Sequence, residues 1–244
     1  MSIDFAKVAL PDNLHSRVTK ALGLRLINAQ ETDEQVAFPN EAKMCEQLGV
    51  SRSILREAVK VLADKGMVDV RPRSGTRSRP RADWNLLDPD ILCWQAEARP
   101  DGRFLRELCE VRLAIEPTAS GFAAVRATEE ETGAMAACLE RREALDGSAP
   151  EEIAASNLQF YEAVVAASHN PMFRQLSASI RLAMQVALSY TVRLPAVRTL
   201  EREAHRSLYE AILRHDPRAA RTAAEEIVGF AMLAVEQVVR KAKR

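Results

Sequence analysis

Apolar positions recur at helical spacing along almost the whole chain, and only one short stretch alternates as strands do. Leu14, Val18, Leu22 and Leu26 are laddered four residues apart and predict a first helix over 13–27. Met44 and Leu48 lie one turn apart behind Asn40, which can cap a short helix broken at Gly49-Val50. Ser51 is a good N-cap for the next helix, whose inward stripe is Leu55, Ala58, Val59 and Leu62. Gly66 stops that helix, 67–71 alternates as a short strand, and Arg73-Ser74-Gly75 turns the chain into a return strand over 76–79. The order that results is helix, helix, tight turn, helix and a two-stranded wing.

Proline and arginine then cluster without periodicity around 78–83, so we divide the chain into a winged unit at 1–79, a linker at 80–86 and a second domain at 87–244. Asp88-Pro89 and Asp216-Pro217 each place a capping carboxylate before a proline at the first helical position. Helices are expected at 89–97, 101–127, 129–145, 151–167, 172–192 and 200–214, and from 217 to the C-terminus, with Pro117 kinking the second. The fold class is mainly α: an N-terminal winged helix-turn-helix with a small β wing, followed by an antiparallel α-helical bundle.

With 244 residues, 47% hydrophobic and 28% charged, the chain can bury a core in each of two domains. No run approaches a membrane span, and the first residues lack the basic and apolar segments of a secretory signal. Cys45, Cys93, Cys109 and Cys138 are isolated, as expected of reduced thiols in a cytoplasmic protein rather than of a zinc site or disulfide framework. Formal net charge is zero, yet between Ser51 and Arg81 nine Lys/Arg face three Asp/Glu, a local +6. A basic patch of that kind binds phosphates with release of counterions. Arg52, Ser53, Arg56 and Lys60 fall opposite the apolar stripe of their helix, on the face free to enter a DNA groove.

This stretch resembles the winged helix-turn-helix of the GntR family of bacterial transcription regulators, matching at Pro39, Glu41, Gly49, Val50, Ser51, Arg52, Arg56, Glu57, Ala58, Leu62, Gly66, Gly75 and Thr76. The resemblance implies that Arg52 and Arg56 contact bases or phosphates, that Ser51 and Ser53 contact phosphates, and that the wing at Arg73, Gly75 and Thr76 reaches the minor groove. Lys43 stands one place after the position, here Ala42, where the family often has a basic residue. Arg73 replaces the wing's usual first glycine. Glu41 and Glu57 read as partners of nearby arginines.

The second half, with WNLLDPDILCW at 84–94, E-V-R-x-x-x-E-P at 110–117 and A-S-x-N-P at 167–171, resembles the FadR-type effector domain of that family. In most relatives this bundle holds a divalent metal on one Asp and three His, and the corresponding positions here are Asn157, Tyr161, His205 and Ile227. An amide and a phenol are poor ligands and isoleucine is none, so only His205 remains as a good donor and no metal is expected. The four side chains should converge on a mostly apolar pocket, or the pocket has closed and His205 is a hydrogen-bonded core histidine. Arg112 lies on the buried side of its helix, where an unpaired guanidinium is costly. Glu116, one turn on, is one possible partner and a carboxylate effector the other. Arg181 and Gln185 are further candidates for polar contacts.

The expected function is a homodimeric transcription regulator, acting as a repressor on a short palindromic operator. A small organic acid bound in the helical domain, of the sugar-acid class such as a hexonate, would control it. No cofactor and no membrane partner are expected. Two alternatives stand beside this: a metal-dependent enzyme in the helical domain, or a constitutive DNA-binding regulator. No G-x-S-x-G, P-loop or H-E-x-x-H motif supports catalysis.

Overall fold

The computed structural model describes residues 14–29, 37–71, 75–98, 102–145 and 148–242, which fall in two compact units, Met1–Trp94 and Gln95–Arg244. In the first unit, α1 (Leu14–Ala29) and α2 (Glu41–Leu48) pack with α3 (Arg52–Asp64), followed by β1 (Val68–Arg71) and β2 (Gly75–Ser78). The strands are antiparallel, pairing Val68 with Ser78 and Val70 with Thr76. Ala37 bridges to Arg77, and the Phe38 N–H donates to the Thr76 carbonyl at 3.1 Å, adding a short third edge to the wing.

Capping sets these boundaries. The Asn40 side chain accepts from the Lys43 N–H at 2.9 Å and starts α2. Gly49, at φ 65°, ends it in the left-handed conformation, and Ser51 accepts from the Ile54 N–H to open α3. Gly66, at φ 76°, turns the chain from α3 into β1, and a Cβ there would lie 2.6 Å from the Asp83 carbonyl oxygen. The core of this unit is built on Leu22, Leu26, Met44, Leu55, Leu62 and Met67. Leu14, at the foot of the predicted ladder, is 44% exposed instead.

Residues 80–94 fold with this unit. A 3-10 turn at Arg81–Asp83 brings the buried Trp84 back, its Nε1 donating to the Arg79 carbonyl at 3.0 Å. Lys65 Nζ sits 2.8 Å from both Asp88 and Asp90 and lies over the Trp94 ring. Burial lowers the affinity of Lys65 for its proton, but the two carboxylates outweigh that and raise its pKa. Trp84, Ile91 and Trp94 complete the core. Each indole buries roughly 150–250 Å², worth about 4–6 kcal/mol at about 25 cal/mol per Å².

From α4 (Pro89–Glu97) onward the described chain is helical: α5 (Gly102–Arg126), α6 (Glu129–Ala144), α7 (Pro150–Ala167), α8 (Pro171–Thr191), α9 (Pro195–Leu213) and α10 (Pro217–Ala242). Five of these seven helices begin at a proline, whose missing N–H costs nothing in the first turn. The spacing predicts a helix from Leu200, but α9 starts at Pro195, behind Leu194, which offers no capping side chain. Thr128 and Glu131 form a reciprocal capping box at the head of α6. Asn170 and Asp216 accept backbone N–H groups at the heads of α8 and α10. Within the second unit α10 packs along α5 and α9, while α7 packs along α6 and α8. Its core centres on Phe160, Val164, Met135, Leu208, Ile212 and Val228 with many alanines, which let the helices approach closely.

Candidate nucleic-acid interface and effector cavity

On α3, Leu55, Ala58 and Leu62 are buried, while Arg52, Ser53, Arg56 and Lys60 are all exposed on the opposite side. Val59, read as inward, is half-buried at the edge of the stripe. Ser51 Oγ lies 2.9 Å from Ser53 Oγ while it caps the helix, so both hydroxyls cluster at the positive end of the helix dipole. Arg56 donates from Nε and a terminal nitrogen to the two Glu41 carboxylate oxygens, at 3.1 and 3.2 Å. Arg52 makes no ion pair among the described residues. Lys43 is exposed on α2, Gly75 is exposed and Thr76 half-buried on β2. Arg73 lies outside the described residues. Arg56, Lys60 and Arg71 share a groove between α3 and the wing with Met44, Leu55 and Val70.

In the second unit Asn157, Tyr161, His205 and Ile227 line one cavity, together with Arg112 and Glu116. The free volume is about 20 Å³, room for one water-sized group. Arg112 is 4% exposed, and its Nε donates to Glu116 at 2.5 Å. Burial opposes its charge, but the Glu116 carboxylate outweighs burial and raises the pKa above the ordinary arginine value. Both partners weighed for Arg112 therefore remain relevant: Glu116 holds it in this structure, and it borders the cavity.

His205 Nδ1 donates to the Glu201 carbonyl at 2.5 Å, and Phe160 packs edge-on against the ring. That bond puts the imidazole proton on Nδ1 and leaves Nε2 as an acceptor. Burial pulls the His205 pKa down to about 4, with Arg142 and Arg112 adding to the effect and the Glu201 carbonyl opposing it. Burial likewise raises the Tyr161 phenol, whose hydroxyl lies near Ser177 without forming a hydrogen bond of ordinary geometry.

Two residues of this site escaped the sequence reading. Glu201, on α9 one turn before His205, is 1% exposed and lines the cavity, and burial pushes its pKa up to about 7 against the pull of Arg112 and Arg142. Arg142, on α6, is buried and donates from Nε to Asn157 Oδ1 at 2.8 Å. Both sit in charged runs, E-R-E and E-R-R-E, that read as solvated faces. The four-residue offset of Glu201 from His205 was the available signal. Arg181 and Gln185 are corrected in the other direction. Arg181 is exposed and donates to Glu162 at 2.6 Å, and neither residue is among those lining the cavity.

The donor set does not fit a divalent metal. Asn157 already accepts from a guanidinium, the Tyr161 phenol is held in its protonated form, and Ile227 has nothing to donate. Among the described residues no group of three or more His, Cys, Asp and Glu could hold a metal ion.

The model of the bacterial regulatory proteins, gntR family, matches residues 16–77, and that of the FCD domain matches residues 107–230. The chain belongs to the GntR family, with an FCD domain. This GntR chain is 28% identical over 231 residues to the galactonate operon transcriptional repressor of Escherichia coli (strain K12), covering 93% of this chain and 98% of that one. It is 36% identical over 143 residues to the Uxu operon transcriptional regulator of the same strain, covering 57% of this chain and 52% of the other. Among solved structures, Lar, which controls expression of the Listeria monocytogenes agr system, shares the fold with a TM-score of 0.62 at 18% identity, covering 94% and 99% of the two chains. Escherichia coli McbR/YncC shares it with a TM-score of 0.52 at 21% identity, over 93% and 99%. The GntR chain is thus a DNA-binding transcriptional regulator by family, and FCD domains bind small-molecule effectors. No described helix is long and apolar enough to cross a membrane.

Proposed function

We propose that this regulator is a homodimeric repressor, released from a short palindromic operator by a small hydroxylated organic acid. The observation that carries the DNA half is the exposed face of α3, where Arg52, Ser53, Arg56 and Lys60 project beside a capped helix N-terminus. In this reading Arg52 and Arg56 read bases or phosphates, Ser51, Ser53 and Lys43 hold phosphates, and Gly75 and Thr76 with Arg73 carry the wing to the minor groove. Two copies would place their α3 helices about one helical turn of DNA apart, roughly 34 Å. The linker at 80–86 and the second domain at 87–244 belong to the same proposal as functional limits, while residues 80–94 pack with the winged unit.

Support for the effector half comes from Arg112, a buried guanidinium bordering a cavity with Asn157, Tyr161 and His205. A carboxylate taking the place of Glu116 would be held by the same planar fork. The similarity to a galactonate operon repressor favours a sugar acid, and the polar lining suits hydroxyl groups better than an acyl chain. At about 20 Å³ the cavity must open to admit a six-carbon acid, so binding selects an expanded state of the bundle. That expansion is what would shift the DNA-binding units. Thermal melting with D-galactonate, D-gluconate and lactate tests the reading: an acid at a hundred times its Kd adds about 2.7 kcal/mol of stability. No shift with any of them, alongside intact DNA binding, would leave a constitutive regulator.

A further inference from the structure

We propose that Glu201 is the specificity-determining residue of this cavity: its buried carboxyl pairs with a ligand hydroxyl, so that a hydroxy acid is accepted and the unsubstituted acid of equal length refused. The inference rests on the effector reading above and goes beyond it by assigning the selectivity to one side chain.

Glu201 is 1% exposed, yet its Oε2 has no hydrogen-bond partner among the described residues. Asn157 Nδ2 is in the same state, its Oδ1 being taken by Arg142. Native interiors rarely leave such groups unpaired, and these two, with the Tyr161 hydroxyl, border one cavity and mark a place for a polar guest. The backbone of Glu201 is equally committed, because its carbonyl holds His205 Nδ1. The side chain borders the same cavity as Arg112 and Glu116, on the turn of α9 before His205.

These groups define the chemistry of the guest. Arg112 takes a carboxylate once Glu116 is displaced. Asn157 Nδ2 offers a donor and Glu201 an oxygen that can accept from, or when protonated donate to, a hydroxyl. The carboxyls of Glu116 and Glu201 both border the cavity, so a second anionic group on the ligand would meet like charge. The fit is a monocarboxylate carrying at least one hydroxyl. An acid without hydroxyls would seal Glu201 and Asn157 away from any partner, the situation in which polar sites discriminate most strongly.

The test compares matched acids on the full-length protein by calorimetry: D-galactonate against hexanoate, and lactate against propionate. The wild type is expected to prefer the hydroxylated member by roughly tenfold or more. Glu201→Leu is expected to bring the affinity for the hydroxy acid down to that for its unsubstituted partner. Glu201→Gln, which keeps the shape and a polar tip, is expected to retain part of the preference and covers the case in which the leucine variant does not fold. Equal affinities within each pair in the wild type, or an unchanged preference in the folded Glu201 variants, would overturn the role of Glu201 while leaving the cavity a carboxylate site. Absence of binding by any of the four acids would overturn both readings. So would binding undiminished in Arg112→Met/Glu116→Leu.

Discussion

Arg56 on α3 rests both of its arms on the carboxylate of Glu41, at the start of α2, at 3.1 and 3.2 Å. With the arginine 70% exposed this pair adds little stability, at most about 1 kcal/mol. Its effect is to fix where the guanidinium points. Arg56→Ala is expected to weaken DNA binding and to lower the salt dependence of log K by about one unit of slope. Glu41→Ala is expected to leave the melting temperature nearly unchanged while reducing discrimination between operator and random duplex. Anisotropy titrations over a salt series measure both. An Arg56→Ala slope equal to wild type would remove that residue from the interface.

Ser51 caps α3 and, in the proposed reading, meets a DNA phosphate, and substitution separates the two. Ser51→Ala removes the cap of α3 and is expected to cost about 1 kcal/mol. Ser51→Asp restores a capping oxygen and suits the helix dipole, but sets a negative charge beside the incoming phosphates. Its melting temperature is expected to match wild type while DNA affinity falls tenfold or more. Wild-type affinity in the aspartate variant would show that Ser51 meets no phosphate.

Gly49 and Gly66 both hold positive φ, at 65° and 76°, but their surroundings differ. An alanine at 49 meets open space and bears only the backbone strain, about 1–2 kcal/mol. At 66 the new Cβ would lie 2.6 Å from the Asp83 carbonyl, so the segment behind the wing must move as well. Urea denaturation is expected to rank Gly66→Ala clearly below Gly49→Ala, and equal midpoints would contradict the close approach.

Glu201 and His205 predict opposing pH effects on stability. Glu201 binds its proton more tightly folded, near pH 7, than unfolded, near 4.5, so its contribution is complete below 4.5 and is lost as pH rises through 7. His205 is the reverse: its folded pKa of about 4 lies below 6.5, so its contribution is present above 6.5 and lost as pH falls through 4. Each amounts to about 3 kcal/mol at about 1.36 kcal/mol per pH unit. Between pH 4.5 and 6.5 they nearly cancel. Wild-type stability is therefore expected to be flat there, and that of Glu201→Gln to climb with pH. A flat profile in the variant would show that His205 does not titrate as assigned.

Arg112 and Glu116 are both about 95% buried, so removing one leaves the other charge stranded. Arg112→Met is expected to cost about 3–5 kcal/mol, and Arg112→Met/Glu116→Leu to recover most of it. Chemical denaturation of the single and double variants measures the difference. A double variant no more stable than the single one would mean that the pair is not what holds this part of the bundle.

Much of this was legible because local signals and tertiary packing agree. Capping residues at Asn40, Ser51, Asp88 and Asp216, each ahead of a helix, placed four helix starts within a residue or two. Pro195 was passed over because no polar side chain precedes it, although its fixed φ suits a first turn as well as that of Pro217 does. The cavity positions Asn157, Tyr161, His205 and Ile227 converge as the family pattern implied. Glu201 and Arg142 did not stand out, because charge argues for solvent until the far side of the bundle is known. Arg181 failed for the complementary reason: Glu162, on the neighbouring α7, holds it at the surface, and no periodicity in α8 reveals that.

The carboxylate already seated against Arg112 is a permanent rival to any acid arriving from solution. A tethered competitor acts at an effective concentration of millimolar order or higher. On the proposed effector reading Glu116 would therefore set a threshold: traces of acid would leave the bundle shut, and only a glut would displace the incumbent.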